Sequence, residues 1–401
     1  MSKHFRRAVP ADFVLHKPIR WPLYDEGGVL LLKQGYVITM PGLVERLLER
    51  GCYIGLPNIE PERLFQIPAN GGEEEKKAAD DAQVKARKAS LGPAFFRAGD
   101  LATSIRRIHK LLCEPPSPRI SVKDYVLERA EQLIALVEED ADAVLASAYL
   151  STEIRDYRPG HQLLGAAITA LLAPQCEIEP AHRRALVCAA LTRDVGLNDF
   201  DKISGGFAKG LPEIARARVQ EHTEHSVRIL GSHGVHDPLW LRYVREHHER
   251  PDGAGYPGGL RAGQALPGSF LLNLADSYAS MVLPSERAPG KFPANAMKEL
   301  FLEKGSRYAE QHVAALFKTL TRFPAGTLVS LASGETCLVK NTPAANSQPV
   351  VYSIYDRSGM PRSSPVLRDT GVSEFNITGC VSPSKCQSAA LVIRRLWHAA
   401  S

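Results

Sequence analysis

The sequence predicts a mainly helical protein: a helical bundle preceded by a small N-terminal α+β module and followed by a small C-terminal antiparallel β unit. Three observations carry this. Apolar residues recur at helical spacing from about residue 93 to 320. A charged stretch poor in large apolar residues, 71–92, separates that region from the preceding one. After Thr321 the apolar residues instead alternate with polar ones around glycine turns. The chain has 401 residues, which suits two to three domains at about 150 residues each.

Within residues 1–70, Leu23-Tyr24 and Val29 to Leu32 flank Gly27-Gly28 as strand, turn and strand. Pro41-Gly42 opens a short helix, LVERLLERG, with Leu43, Leu47 and Leu48 on one face and Gly51 as its stop. This module carries no catalytic grouping and reads as a regulatory or docking domain. The stretch GGEEEKKAADDAQVKARKAS is a linker or a solvated helix, and the domain boundary. Residues 93–320 form the helical domain. Leu101, Ile105, Ile108, Leu111 and Leu112 mark its first helix, and Pro115, Pro116 and Pro118 break the chain after it. Further helices are expected at 121–149, 161–173, 180–192, 212–231, 237–248, 267–282 and 294–303. In the extension 321–401, GTLVSLASGETCLVK turns at Ser333-Gly334, and PVVYSIYD precedes Gly359 and Pro361, as in β-hairpins. There is no repeat at the scale of solenoids.

Composition narrows the function classes. The chain is 44% hydrophobic and 23% charged, ordinary globular usage. The net charge of +5 is spread along the chain, so nucleic acid is not an expected partner. No apolar run is long enough to span a bilayer, and the N-terminus lacks the apolar core of a signal peptide. The cytoplasm is the expected location. Seven cysteines without a tight spacing pattern make neither a disulfide framework nor a zinc-finger pattern.

Chemistry gathers in the helical domain. His161 opens a helix, Asp194 closes another in AALTRDVGL, His222 begins HTEHSVRIL, His247 and His248 end WLRYVREHHE, and Asp276 lies inside the apolar FLLNLADSYASMV. Imidazole and carboxylate are the usual ligands of Zn, Fe, Mn and Ni, and a helical bundle can bring them to one central site. Each residue also has a plainer reading. A lone histidine on an apolar face is commonly a core residue. Asp276 could be a buried carboxylate paired with an arginine. His247-His248 could be an exposed helix end, where cations suit the dipole.

From His247 to Pro257 the chain reads HHE-xx-DGxGYP. This string closely resembles the signature of the HD-GYP family, bacterial metal-dependent phosphodiesterases of cyclic di-GMP within the HD superfamily. The resemblance runs from about 145 to 320, through His161, Arg193-Asp194, His222, His247-His248 and Asp276 in the family's order. It implies an HD-superfamily helical bundle, a role in signal transduction, and hydrolysis of the phosphodiester by metal-bound hydroxide. The implied metal residues are His161, Asp194, His222, His247, His248 and Asp276, with Asp194 bridging, and Asp194, His222, His247 and His248 carrying catalysis. The implied cofactor is Fe or Mn, one or two ions per chain. Asp252, Gly253, Gly255, Tyr256, Pro257 and Arg287 would face substrate or partner, the partner being a GGDEF-domain protein. Glu249 and Asp252 would also fix the loop.

The sequence departs from the family at four places. Arg193 stands where the HD histidine is expected, Leu197 where a lysine would face the phosphate, Tyr157 where a third-metal glutamate would lie, and Ser226 at a usual glycine. The set His222, His247, His248 and Asp194 remains complete; the other retains only His161, Asp194 and Asp276. Arginine offers donors only and cannot ligate a metal. Either that second site keeps a metal with water in the vacant position, or Arg193 folds into it and pairs with Asp276. The second outcome is favoured, because a buried carboxylate wants a cation and arginine supplies a bidentate one. The functional expectation is accordingly a cyclic di-GMP phosphodiesterase, weakened by the lost histidine. The alternatives are an inactive sensor or scaffold for GGDEF-type partners, and an enzyme for another phosphoester.

Overall fold

A computed structural model describes residues 93–150, 157–197, 213–285, 290–343 and 347–398, with short stretches between residues 4 and 56. The charged stretch 71–92, Leu43 and Arg287 lie outside the described residues. The chain divides into two compact units, Met1–Gln83 and Val84–Ser401.

In the first unit, β1 (His4–Arg7), β2 (Leu23–Tyr24), β3 (Leu30–Leu32) and β4 (Tyr53–Leu56) form an antiparallel sheet of order β1-β4-β2-β3. Its core holds Ile19, Leu23, Ile38 and Ile54. Val44, Leu47 and Leu48, the described positions of the expected helix, pack against it.

The second unit opens with α1 (Ala94–Cys113), which buries Leu101, Ile105, Ile108 and Leu112, one stripe at helical spacing. Then α2 (Val122–Leu150) is interrupted at Asp140, whose extended backbone ends one helix and whose carboxylate accepts the Ala143 amide (2.9 Å) to cap the next. There follow α3 (Tyr157–Leu172), α4 (Pro180–Thr192), α5 (Glu213–Ser232), α6 (Pro238–Glu246), α7 (Pro267–Val282), α8 (Pro293–Leu302) and α9 (Glu310–Leu320). Asp237 caps α6 through the Leu239 and Trp240 amides, and Pro238 sits where a missing N–H costs nothing. The sequences of α3 (HQLLGAAITALL) and α7 (GSFLLNLA) are apolar nearly all round, and both helices are buried on nearly every face and pack on each other. These central helices carry His161 and Asp276.

The C-terminal sheet has the order β8-β7-β6-β5-β9, all antiparallel: β5 (Leu328–Leu331), β6 (Thr336–Asn341), β7 (Val350–Tyr355), β8 (Pro361–Asp369) and β9 (Ile377–Cys380). The hairpin at Ser333-Gly334 forms, with Gly334 at φ 86°, a value that suits glycine. Strand alternation divides the apolar residues. Leu328, Leu338 and Ile354 join the helical core, whereas Val329, Cys337, Val339 and Val351 make a second, smaller one. Glu335 is buried in this unit, and its carboxylate accepts hydrogen bonds from Arg368 (2.7 and 2.8 Å), Ser353 (3.1 Å) and Arg362.

Among the described residues, two helices fall outside those expected individually, α9 and α10 (Ala390–His398). The second buries Val392, Ile393, Leu396 and Trp397 in the helical core, and Trp397 stacks on Phe95 with ring centroids 5.0 Å apart. The extension therefore shares its core with the helical domain. Among the described residues, no helix is long and apolar enough to cross a membrane.

Candidate metal centre

Three segments converge on α3 and α7. The turn after α4 brings Arg193 and Asp194, α5 brings His222, the end of α6 brings His247 and His248, and α7 brings Asp276 opposite His161 of α3.

His222 and His247 are held alike. His222 Nδ1 donates to the Val219 carbonyl and His247 Nδ1 to that of Val244 (2.7 Å). With each Nδ1 committed to a carbonyl, Nε2 is the ring atom that each histidine turns to its neighbours, and the two Nε2 atoms lie 3.3 Å apart. Burial, then the neighbouring His222, pushes His247 down to about 3; burial and His247 push His248 well below the ordinary range. Both rings are neutral. Asp194 Oδ1 lies 3.7 Å from His222 Nε2 and 3.8 Å from His247 Nε2. Candidate ligand atoms of His222, His247 and His248 all fall within 4.8 Å of one another. Burial raises the Asp194 carboxyl, but Arg193, with His222 and His161, outweighs it and holds the group below its usual value.

His161, Asp194 and Asp276 form a second group of the same compactness. Here Arg193 is inserted, with its side chain fully buried. Asp276 Oδ1 accepts from Arg193 Nη2 (2.6 Å) and Nε (3.1 Å), and His161 Nε2 lies 3.1 Å from the same oxygen. Burial raises the Asp276 carboxyl; Arg193 and His161 reverse this and keep it ionised, well below the usual carboxylate range. Leu197 is half-buried in the turn Val195–Leu197.

The loop after His248 is built on glycine and glutamate. Buried Glu249 accepts the Gly258 (2.6 Å) and Leu260 (2.8 Å) amides, and Asp252 accepts the Ala254 amide (2.9 Å) and an Arg250 guanidinium N–H (2.6 Å). Gly253 has φ 77°, and a Cβ on Gly255 would lie 2.5 Å from the His248 carbonyl oxygen. Tyr256 stacks on His248, ring centroids 4.6 Å apart, and Pro257 is exposed beside it. Of the residues expected to meet substrate or partner, Tyr256 thus lies against the histidines, while the contacts of Asp252, Gly253 and Gly255 shape the loop. His225, one turn after His222, is half-buried with Nδ1 facing the Gly196 carbonyl (3.2 Å).

Sequence reasoning missed several supports. Asn273 donates to the His247 carbonyl (2.9 Å); a polar residue one turn before Asp276 in an apolar helix was the available signal. Buried Glu246 accepts the Leu266 amide and the Ser269 hydroxyl at the start of α7, both at 2.9 Å. Ser226 is legible in sequence as a departure only. Its hydroxyl donates to the Arg193 carbonyl (2.7 Å) and accepts the Gly196 amide (2.9 Å). Gly165 on α3 leaves room for the guanidinium, and no sequence pattern marks it.

Residues 149–311 match the family model described as an HD domain. A cyclic di-GMP phosphodiesterase of Pseudomonas aeruginosa is 26% identical over 217 residues, 52% of this chain and 50% of the relative. A cyclic di-GMP phosphodiesterase of Thermotoga maritima is 33% identical over 104 residues, 25% of this chain and 27% of the relative. A 3'3'-cGAMP-specific phosphodiesterase of Vibrio cholerae is 30% identical over 125 residues, 31% of this chain and 27% of the relative. The chain spans half the length of the first relative and about a quarter of the other two. A solved structure of an HDG"Y"P protein from Bdellovibrio bacteriovorus aligns with TM-score 0.47 at 16% identity, covering 78% of this chain and 98% of that one. The matched helical segment is an HD domain, and HD domains are metal-dependent. The HHE-xx-DGxGYP string within that segment resembles the HD-GYP signature, with Arg193-Asp194 in place of the HD pair.

The two groups differ in how they fit a metal. His222, His247, His248 and Asp194 fit: three imidazoles and an ionised carboxylate are a transition-metal donor set, and the two facing Nε2 atoms suit a cation. His161 and Asp276 do not fit alongside Arg193. Asp276 Oδ1 is already approached by three donor atoms. His161 Nε2 faces two acceptors, that oxygen and the Asp276 carbonyl (3.3 Å), so it carries a proton.

Proposed function

We propose that this protein is an HD-GYP-type phosphodiesterase acting on cyclic di-GMP, with His222, His247, His248 and Asp194 holding a divalent transition metal, Fe or Mn. The observation that carries the reading is this compact three-histidine set beside an ionised carboxylate, adjoining an intact HHE-xx-DGxGYP loop. The names of the curated relatives support cyclic dinucleotides as the substrate class.

A metal held there supplies a Lewis acid for a phosphoryl oxygen and lowers the pKa of water to about 7. The chain's own residues set the stage. The Val219 and Val244 carbonyls fix the tautomers of His222 and His247. Asn273 anchors the His247 main chain. Tyr256 stacks on His248 and covers one face of its ring. Arg193 pairs with Asp276 at 2.6 Å and lies 3.5 Å from Asp194 Oδ2, so both carboxylates stay ionised beside the histidines.

One observation favours a second reading. Arg193 fills the position of a missing ligand, and a lost catalytic group lowers rates by orders of magnitude. On that reading the protein is a cyclic di-GMP sensor or a scaffold for GGDEF-type partners. A turnover assay separates the two. Purified protein is supplied with Mn(II) or Fe(II) and cyclic di-GMP, with the His247→Ala, His248→Ala double variant alongside, and products are separated by chromatography. Hydrolysis that disappears in the double variant is expected; no product at high protein concentration would overturn the enzyme reading.

A further inference from the structure

We propose that Arg193 is a built-in cation that permanently occupies the second metal position, so that the chain loads one divalent ion and not two. The inference rests on the metal centre proposed above and concerns the residue group that does not fit a metal.

Four independent contacts make this a constructed arrangement. Two guanidinium nitrogens converge on one oxygen of Asp276, at 2.6 and 3.1 Å. The third, Nη1, donates to the Ala190 carbonyl of α4, so the guanidinium is anchored to the helix that delivers it. On the far side, a Cβ at Gly165 would stand 3.3 Å from Nη2; a glycine in mid-helix leaves the guanidinium its place. Behind it, Ser226 ties the Arg193 carbonyl and the Gly196 amide to α5. Arg193 and Ser226 are both departures from the family pattern, and they touch.

Charge points the same way. The centre holds two carboxylates, Asp194 and Asp276, and Arg193 already offsets one of them. A second ion would add two positive charges beside a buried guanidinium, with no further carboxylate in either group to offset them. His161 follows: its Nε2 proton lies between two oxygens of Asp276, so it serves as a positioning residue for the ion pair.

The test is metal stoichiometry. Wild type and Arg193→His are stripped, reloaded with Mn(II), freed of excess ion by gel filtration, and measured by elemental analysis. Electron paramagnetic resonance of the wild type reports whether the Mn(II) is isolated or exchange-coupled, and needs no variant. The expected result is one ion per chain with an isolated-ion spectrum, rising to two in Arg193→His. Two ions or a coupled pair in the wild type would overturn this inference alone. A folded Arg193→His chain still holding one ion would overturn it as well. No bound ion in the wild type would overturn the metal centre itself and this inference with it.

Discussion

The Nε2 atoms of His222 and His247 lie 3.3 Å apart, and each ring gives its Nδ1 proton to a main-chain carbonyl. Held this way, both Nε2 atoms are turned toward one place beside Asp194 Oδ1, where a cation would join them. Metal should therefore stabilise the fold. At a free-ion level of about 100 times Kd, linkage gives about 2.7 kcal/mol. Chelation should lower the melting temperature, Mn(II) should restore it, and His247→Ala should abolish the dependence. Differential scanning calorimetry reads all three.

Asn273 acts on the same histidine through the main chain, by its bond to the His247 carbonyl. Outer supports of this kind are worth about 10- to 100-fold in metal affinity. Asn273→Ala should weaken Mn(II) binding by about tenfold or more in calorimetric titration while the circular dichroism spectrum stays helical. Unchanged affinity would mean that the His247 peptide is held by the loop alone.

Arg193 and Gly165 should show coupled stabilities. Arg193→Ala leaves Asp276 buried without its cation, which costs about 3–5 kcal/mol. Gly165→Ala normally strengthens a helix interior by about 1 kcal/mol, but its Cβ would press on Nη2 at 3.3 Å, and crowding a packed site costs about 1–3 kcal/mol. Gly165→Ala should destabilise the wild type and stabilise the Arg193→Ala background. Urea denaturation of the four proteins gives the cycle, and additive effects would contradict the contact.

How much of this was legible in the sequence depends on the range of the interaction. The helices follow from periodicity, because an apolar stripe repeats within a few residues. The family follows from the uninterrupted string His247 to Pro257. The Arg193–Asp276 pair could be reasoned from chemistry, since a buried carboxylate needs a cation. The Ser226–Arg193 clamp and the space at Gly165 could not, because each joins segments from different helices and leaves no local trace. Asn273 had a faint trace, a polar residue in an apolar helix. The helix Ala390–His398 was overlooked within a region read as β; Val392, Ile393, Leu396 and Trp397 carry the helical spacing, but the stretch is short.

Glu335 gives the C-terminal sheet an acid sensitivity. Hydrogen bonds from Arg368, and next Arg362 and Ser353, outweigh burial and lower its pKa from 4.5 to about 2. A carboxyl lowered in the folded state contributes stability that is complete above the unfolded pKa and is lost as pH falls through the folded one. The wild type should lose this contribution between about pH 4.5 and 2. Glu335→Gln, less stable at neutral pH, should converge on the wild type across that window. Denaturation curves at stepped pH measure the difference between the two; parallel profiles would contradict the role given to Glu335.

The measurement that most directly tests the metal centre is an anomalous difference map from crystals of Mn(II)-loaded protein. The account predicts one peak, bounded by His222, His247, His248 and Asp194, with Arg193 still on Asp276. The absence of a peak among those four residues, or a peak between His161 and Asp276 with Arg193 displaced, would contradict it.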